Sequence, residues 1–283
     1  MNSKIDLIIF LFKITPKSFI SRIFGYVTQI PLPGFILNPV IGWYCKKFQV
    51  NVDEIDTPPD GFRTFDGFFT RQLKKGVHRF SSSPDDILSP VDGRLDQFGP
   101  IDGERIIQAK GIDYSLRDLI PSESADHFTD GSFMTLYLSP ADYHRIHSPV
   151  IGTITGYFNL PGKLYTVQEF MVQGLRNLFA INERIISYIR TRRGMVAVCK
   201  VGAMNVGRIS ISHSPVVTNR IFRTRTEVLY SENESPQVGA GDEIGMFHLG
   251  STVVLLFQKN IMAFEKLETG QKVRVGQKIG RFI

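Results

Sequence analysis

Apolar and polar positions follow two different rhythms along this chain. Up to about residue 50 the apolar residues gather in three stretches: Leu7–Phe12, Phe19–Ile30 and Phe35–Phe48. Pro16 ends any helix in the first, and Pro31-Leu32-Pro33-Gly34 separates the second from the third, so the pattern predicts short helices with tight connections. A spanning helix needs ~20 apolar residues, and none of these stretches supplies them. A cleaved signal peptide also fits poorly, because no small-x-small site follows the short first run. From Ile87 onward the rhythm is that of short strands between glycine turns. Candidate strands are Gly93–Gly99, Ser132–Leu138, Gly152–Tyr157, Met195–Val201, Gly207–Ser212 and Val253–Phe257. Asn177–Arg190 is the expected interior helix, and Thr64–Leu73 opens on a shorter one. Val273–Gly280 has the look of a lipoyl- or biotinyl-type hairpin. The pattern gives an α+β fold, a mostly antiparallel β body behind an N-terminal helical segment. The polar, proline-containing stretch Asp53–Gly61 reads as a linker, so the division expected is 1–50 and 51–283.

Charge sharpens the reading of the first segment. Residues 1–48 carry Lys4, Lys13, Lys17, Arg22, Lys46 and Lys47 against Asp6 alone, so six minus one leaves +5 of the chain's net +6. That charge is interleaved with large apolar residues, and Trp43-Tyr44 stand beside Lys46-Lys47. The combination suits an anionic membrane surface rather than nucleic acid. A helical hairpin packed on the protein's own core is the plainer alternative. The two cysteines, Cys45 and Cys199, suggest neither a disulfide framework nor a zinc cluster.

Candidate chemistry lies in three separated segments. Leu249-Gly250-Ser251-Thr252 leads into the apolar run Val253–Phe257, which places a hydroxyl after a conformationally permissive glycine. Ser89-Pro90-Val91-Asp92-Gly93 carries an aspartate in a turn, and Asp142-Tyr143-His144-Arg145-Ile146-His147 carries two histidines. Ser139 with Asp142, and Pro140 between them, predict a short helix presenting His144 and His147 on one face. Serine, histidine and aspartate are the parts of an activated nucleophile. Two histidines at this spacing could instead hold a metal, but no His-Glu-x-x-His pattern or cysteine pair accompanies them, and no metal is expected. His78, His127, His213 and His248 read as structural, His248 standing nearest the Gly250-Ser251 bond.

Together these segments resemble the phosphatidylserine decarboxylases of the membrane-associated bacterial and mitochondrial type. Gln108-Ala109-Lys110-Gly111, Pro161-Gly162-Lys163-Leu164-Tyr165 and Asn177-Leu178-Phe179-Ala180 add to the resemblance, which runs from about residue 60 to the C-terminus. It implies that Asp92, His147 and Ser251 drive self-cleavage between Gly250 and Ser251, giving a large chain 1–250 and a small chain 251–283 held as a heterodimer. Ser251 then becomes a covalent pyruvoyl group, which takes the place of pyridoxal phosphate. His144 assists proton transfer in decarboxylation. The implied substrate is phosphatidylserine, and the product phosphatidylethanolamine. The implied location is peripheral, on the cytoplasmic face of the cell membrane of a bacterium, and the oligomeric state is left open. Lys163 reads equally as a phosphate contact or a surface lysine.

Two rival classes share some of these features. A serine hydrolase would use the same three residue types but place its nucleophile on a Gly-x-Ser-x-Gly elbow, which Gly250-Ser251-Thr252-Val253 is not. A lipoyl-like carrier would present a modifiable lysine at a hairpin tip, and no lysine stands convincingly in that context.

Overall fold

The computed structural model describes residues 17–283 apart from 205–207, 221–223 and 249–250, with the side chains of 17–20 also left aside. The first apolar stretch, Leu7–Phe12, and Gly250 of the expected cleavage bond therefore lie outside the described residues.

Helices α1 (Lys17–Val27) and α2 (Gly34–Phe48) take up the second and third apolar stretches, and α3 (Phe65–Phe69) follows. Lys46 and Lys47 occupy the last turn of α2, where cations complement the helix dipole. The Thr64 hydroxyl caps α3 by accepting from the Gly67 N–H at 2.9 Å. Tyr44 of α2 packs edge-on against Phe65 and Phe68, and these residues with Phe69, Val50 and Ile55 make a small aromatic core separate from the main one. The stretch expected as a linker contributes Ile55 to that core and pairs Ile55–Asp56 with Gln72–Leu73. No helix among the described residues is long and apolar enough to cross a membrane.

The body is built from strands. In chain order these are β1 (Asp86–Leu88), β2 (Gly93–Pro100), β3 (Ser132–Tyr137), β4 (Arg145–His147), β5 (Gly152–Leu160), β6 (Arg184–Arg190), β7 (Met195–Val201) and β8 (Ile209–Ile211). They continue with β9 (Ser214–Val217), β10 (Thr226–Leu229), β11 (Gln237–Val238), β12 (Glu243–Phe247), β13 (Thr252–Phe257), β14 (Met262–Phe264), β15 (Lys272–Val273) and β16 (Lys278–Phe282). The largest sheet runs β10-β5-β6-β7-β13-β3-β2-β15, with β11 also on β5. A four-stranded sheet runs β9-β8-β12-β4, and a three-stranded one β14-β16-β1. Every pairing named here is antiparallel, as the α+β reading expects. β13 lies between β7 and β3, with Val253 opposite Lys200 on one side and Leu136 on the other, and every residue from Thr252 to Phe257 is buried.

Three local expectations are corrected. Asn177–Arg190 is not one helix: a single turn at Leu178–Ile181 gives way to strand β6. Ile185, Ile186, Tyr188 and Ile189 are buried on both faces of that strand, and a continuous apolar run of this kind carries no period to separate strand from helix. Residues 139–147 are likewise not helical. The Asp142 carboxylate folds back to accept from the Ser139 N–H at 2.6 Å, closing a turn, and the chain then extends into β4. Finally, Val273–Gly280 turns sharply, but its two strands do not pair: β15 joins β2 in the large sheet, while β16 joins β14 and β1. Gly276, at φ +82°, stands where a Cβ would meet the Arg79 carbonyl oxygen at 2.2 Å, so the turn requires glycine.

Candidate active site

β13 begins one residue after Ser251, so the central strand of the large sheet fixes where that hydroxyl sits. The Ser251 carbonyl accepts from the Leu138 N–H at 2.9 Å, continuing the β13–β3 ladder by one residue. Ser251 is fully buried, and its Oγ has no hydrogen-bond partner among the described residues. An unpaired buried hydroxyl costs about 1–3 kcal/mol, a cost that a reactive group justifies better than a structural one.

Ser251 lines a cavity of about 620 Å³ between the N-terminal helices and the β body. The walls are apolar: Val27, Leu37, Trp43 and Tyr44 come from the helices, Phe65 and Phe69 from α3, and Leu138, Pro140 and Val167 from the body. The Tyr44 hydroxyl donates to the Pro140 carbonyl at 2.9 Å, which fastens α2 to the turn before the histidines.

His144 and His147 stand three apart on an extended segment, so their side chains leave opposite faces. His144 is fully buried, with its ring 4.1 Å from that of Phe69, another residue of the cavity wall. Its Nδ1 lies 2.7 Å from the Asp142 carbonyl oxygen, so Nδ1–H donates and Nε2 carries the lone pair. That Nε2 is buried and has no partner among the described residues. Burial first, and the Arg71 guanidinium second, push the His144 pKa down to about 3, so the ring is neutral at neutral pH. Arg71 is held by the Ala141 carbonyl at 2.9 Å and the Asp142 carbonyl at 3.3 Å.

On the other face, His147 Nδ1–H donates to the Gly241 carbonyl at 2.6 Å, and Nε2 accepts from the Tyr143 hydroxyl at 3.1 Å. Burial lowers the His147 pKa, against the smaller opposing influence of this hydrogen bond and of the Glu243 and Asp92 charges. Asp92 does not touch His147 directly. Its Oδ1 lies 2.9 Å from His78 Nε2 and accepts from the Val275 N–H at 2.7 Å. The His78 ring in turn lies 5.1 Å from that of Tyr143 and 6.4 Å from that of His147.

The structure therefore gathers Asp92, His147 and Tyr143 around His78, while Ser251 lines the apolar cavity and His144 packs on Phe69 of its wall. His78, read as structural from the sequence, belongs to this cluster. Its 14-residue separation from Asp92 carries no helical or strand period that would have joined them. Tyr143 and Phe69 were likewise missed, since aromatic residues read first as core. His248, also read as structural, lies beside Asp66 and Ser210. Lys163 stands on an isolated bridge to Asn182. Among the described residues, no group of three or more His, Cys, Asp or Glu side chains is placed to hold a metal ion.

The family model for phosphatidylserine decarboxylase matches residues 65–281. The chain belongs to the phosphatidylserine decarboxylase family. Relatives similar to it include the phosphatidylserine decarboxylase proenzyme of Myxococcus xanthus, 38% identical over 272 residues that cover 95% of this chain and 96% of the relative. The proenzyme of Alcanivorax borkumensis is 38% identical over 287 residues, covering 100% and 98%. That of Brevibacillus brevis is 36% identical over 266 residues, covering 93% of each. The match to family and relatives thus takes in the segments of Asp92, His144, His147 and Ser251.

Proposed function

We propose that this chain removes carbon dioxide from phosphatidylserine to give phosphatidylethanolamine, after cutting itself between Gly250 and Ser251. The observation that carries this reading is the buried, unpartnered Ser251 hydroxyl on the wall of an apolar cavity, in a chain of this family. In self-cleavage, Ser251 Oγ attacks the Gly250 carbonyl carbon, and the peptide bond becomes an ester as the amine is released. Loss of the Cα proton then expels the Gly250 carboxylate and leaves a dehydroalanine end on residue 251. Addition of water and departure of ammonia convert that end to a pyruvoyl group. In this reading His147, neutral through burial, takes the Ser251 proton, and Asp92 stabilises the charge formed. His147 Nε2 must first exchange the Tyr143 hydroxyl for Ser251, since Tyr143 occupies it here.

The residues present fit such a group. It needs a position with no competing hydrogen bond to its side chain, and Ser251 Oγ is orphaned. The Leu138 N–H would hold its carbonyl end. The group supplies an electron-accepting carbonyl, the role pyridoxal phosphate plays in other amino-acid decarboxylases. His144, packed on Phe69 of the cavity wall, keeps a buried Nε2 with no partner among the described residues, and it would move the proton required once the carboxylate has left. The apolar cavity suits the acyl chains of a lipid, and its helical walls suit entry from a bilayer. Residues 251–283 would stay bound after the cut, because β13 is hydrogen-bonded on both sides and its apolar residues are buried, each contributing roughly 1.5–3 kcal/mol.

The N-terminal helices would seat the protein on an anionic membrane surface, peripherally and on the cytoplasmic face of a bacterial cell membrane. Ile23, Phe24, Tyr26, Phe35 and Trp43 are all exposed there, Phe35 by 81%. An apolar face of this extent calls for a partner, and the basic excess of the segment selects an anionic one. Intact mass of the purified protein is the decisive test. Two chains are expected, the smaller beginning at position 251 with a pyruvoyl group and resisting Edman sequencing. A single chain of full mass that is fully active on phosphatidylserine would overturn the reading.

A further inference from the structure

Asp66, His248 and Ser210 form a hydrogen-bonded aspartate–histidine–serine constellation outside the cluster around Asp92. His248 Nδ1 lies 2.9 and 3.1 Å from the two Asp66 carboxylate oxygens, and Nε2 lies 3.1 Å from Ser210 Oγ. A carboxylate only accepts, so Nδ1–H donates to Asp66, and in the neutral ring Nε2 accepts from the Ser210 hydroxyl. The His248 main-chain N–H also donates to the Arg208 carbonyl at 2.9 Å. Both ring nitrogens and the backbone of His248 are thus fixed. Asp66 is fixed in turn: its N–H donates to the Thr28 carbonyl at 2.9 Å, at the exit of α1, and its carbonyl accepts from the Thr70 N–H at 2.8 Å. The two side chains are mostly shielded, at 14% and 15% exposure, so the pair is not a mobile surface contact.

The place of this clamp in the chain gives it a consequence. Only Leu249 and Gly250 separate His248 from Ser251, whose carbonyl is itself held by Leu138. The bond that self-cleavage must break lies in this two-residue span between fixed points. Attack by Ser251 on the preceding carbonyl needs a near-attack geometry, and small displacements of a reacting atom cost large factors in rate. We propose that His248, clamped by Asp66 and Ser210, is a positioning residue for self-cleavage. It takes no proton from Ser251, and it fixes the approach of the scissile carbonyl through the backbone. The proposal rests on the self-cleavage reading above.

The test is the rate at which full-length precursor, made by cell-free synthesis, becomes two chains on a gel and by intact mass. His248→Ala and Asp66→Ala should each slow cleavage by roughly tenfold or more, the factor set by losing a charge-assisted hydrogen bond. His248→Asn, which keeps a donor near the position of Nδ1, should recover most of the rate. The double variant His248→Ala/Asp66→Ala should be no slower than the worse single variant, because both remove one clamp. Thermal midpoints of the uncleaved precursors identify any variant slowed by misfolding, and for such a variant the Asn substitution decides. Wild-type-like cleavage in both Ala variants would overturn the proposal, and so would multiplicative losses in the double variant or no rescue by Asn. A wild-type chain that never cleaves would instead overturn the reading on which it rests.

Discussion

At the scale of single residues, the two histidines of the site are separated by the geometry of a strand. His144 and Ile146 share one buried face, while Tyr143 and His147 share the other. The segment was expected to be a helix, which would have put both rings on one side. The difference separates their expected phenotypes. On the proposed roles, His147→Ala should leave the precursor uncut, because Ser251 would lose its base. Asp92→Asn should mature slowly, since Asp92 acts on His147 across His78 rather than by contact. His144→Ala should cleave normally and then decarboxylate roughly 10²–10⁴-fold more slowly, the usual range for a lost acid–base group. Chain composition by mass and product formation from labelled phosphatidylserine separate the two defects. If His144→Ala blocks cleavage while His147→Ala cuts, the roles are reversed. Ser251, Asp92 and the two histidines were singled out because their segments resemble a family. Partner choice was not legible: which histidine Asp92 takes depends on where a loop 14 residues upstream is carried, and no local period encodes that.

At the scale of elements, strands between glycine turns were readable wherever one face alternates or turn residues bound the run. Met195–Val201 matches the expected limits, and Ser132–Tyr137 falls one residue short. The strand Arg184–Arg190 was not readable, because burial on both faces erased the alternation. The helices α1 and α2 were readable from their punctuation, yet their attachment was not. Tyr44 bonds Pro140 and packs on α3, so α2 is part of the cavity wall rather than a detachable anchor. Deleting residues 1–48 would therefore open the site as well as remove the proposed membrane face. Point variants on the exposed face are the cleaner probe. Ile23→Ser with Phe35→Ser, both exposed and neither lining the cavity, should weaken binding to anionic vesicles, each losing roughly 1.5–3 kcal/mol of apolar burial at most, while self-cleavage is unchanged. The remaining binding of the native chain should fall with salt, since the lysine contribution is screened. Equal co-sedimentation of native and doubly substituted protein would place the membrane contact elsewhere.

At the scale of the whole molecule, the body carries ionisable groups in its interior that oppose its own stability. Lys200, on β7 opposite Val253, is fully buried, and among the described residues its Nζ meets the Ser187 hydroxyl at 2.6 Å and the Val198 carbonyl at 3.4 Å. Ser187 Oγ also lies 2.9 Å from His213 Nε2, so the lysine belongs to a small polar network inside the sheet. Burial lowers the Lys200 pKa from 10.5 to about 7. The unfolded chain therefore binds more protons than the folded one between those values, and stability rises with pH across that window. Below about pH 7 the burial costs on the order of 5 kcal/mol, taking 1.36 kcal/mol per unit of pKa. His144 and His213, lowered from 6.5 to about 3, act in the same sense further down: stability is lost as pH falls from 6.5 towards 3. Replacing Lys200 with methionine keeps the stem's volume and removes the charge. Lys200→Met should therefore raise the thermal midpoint at neutral pH, with a gain that shrinks as pH approaches 10.5. The acid-side loss between pH 6.5 and 3 should persist in this variant, because the histidines remain. Midpoints measured across pH for the native chain and for Lys200→Met, each as the Ser251→Ala form to hold the chain uncut, test the sign directly. A variant less stable than the parent at pH 7, or a gain independent of pH, would show that the Lys200–Ser187 contact offsets the cost of burial.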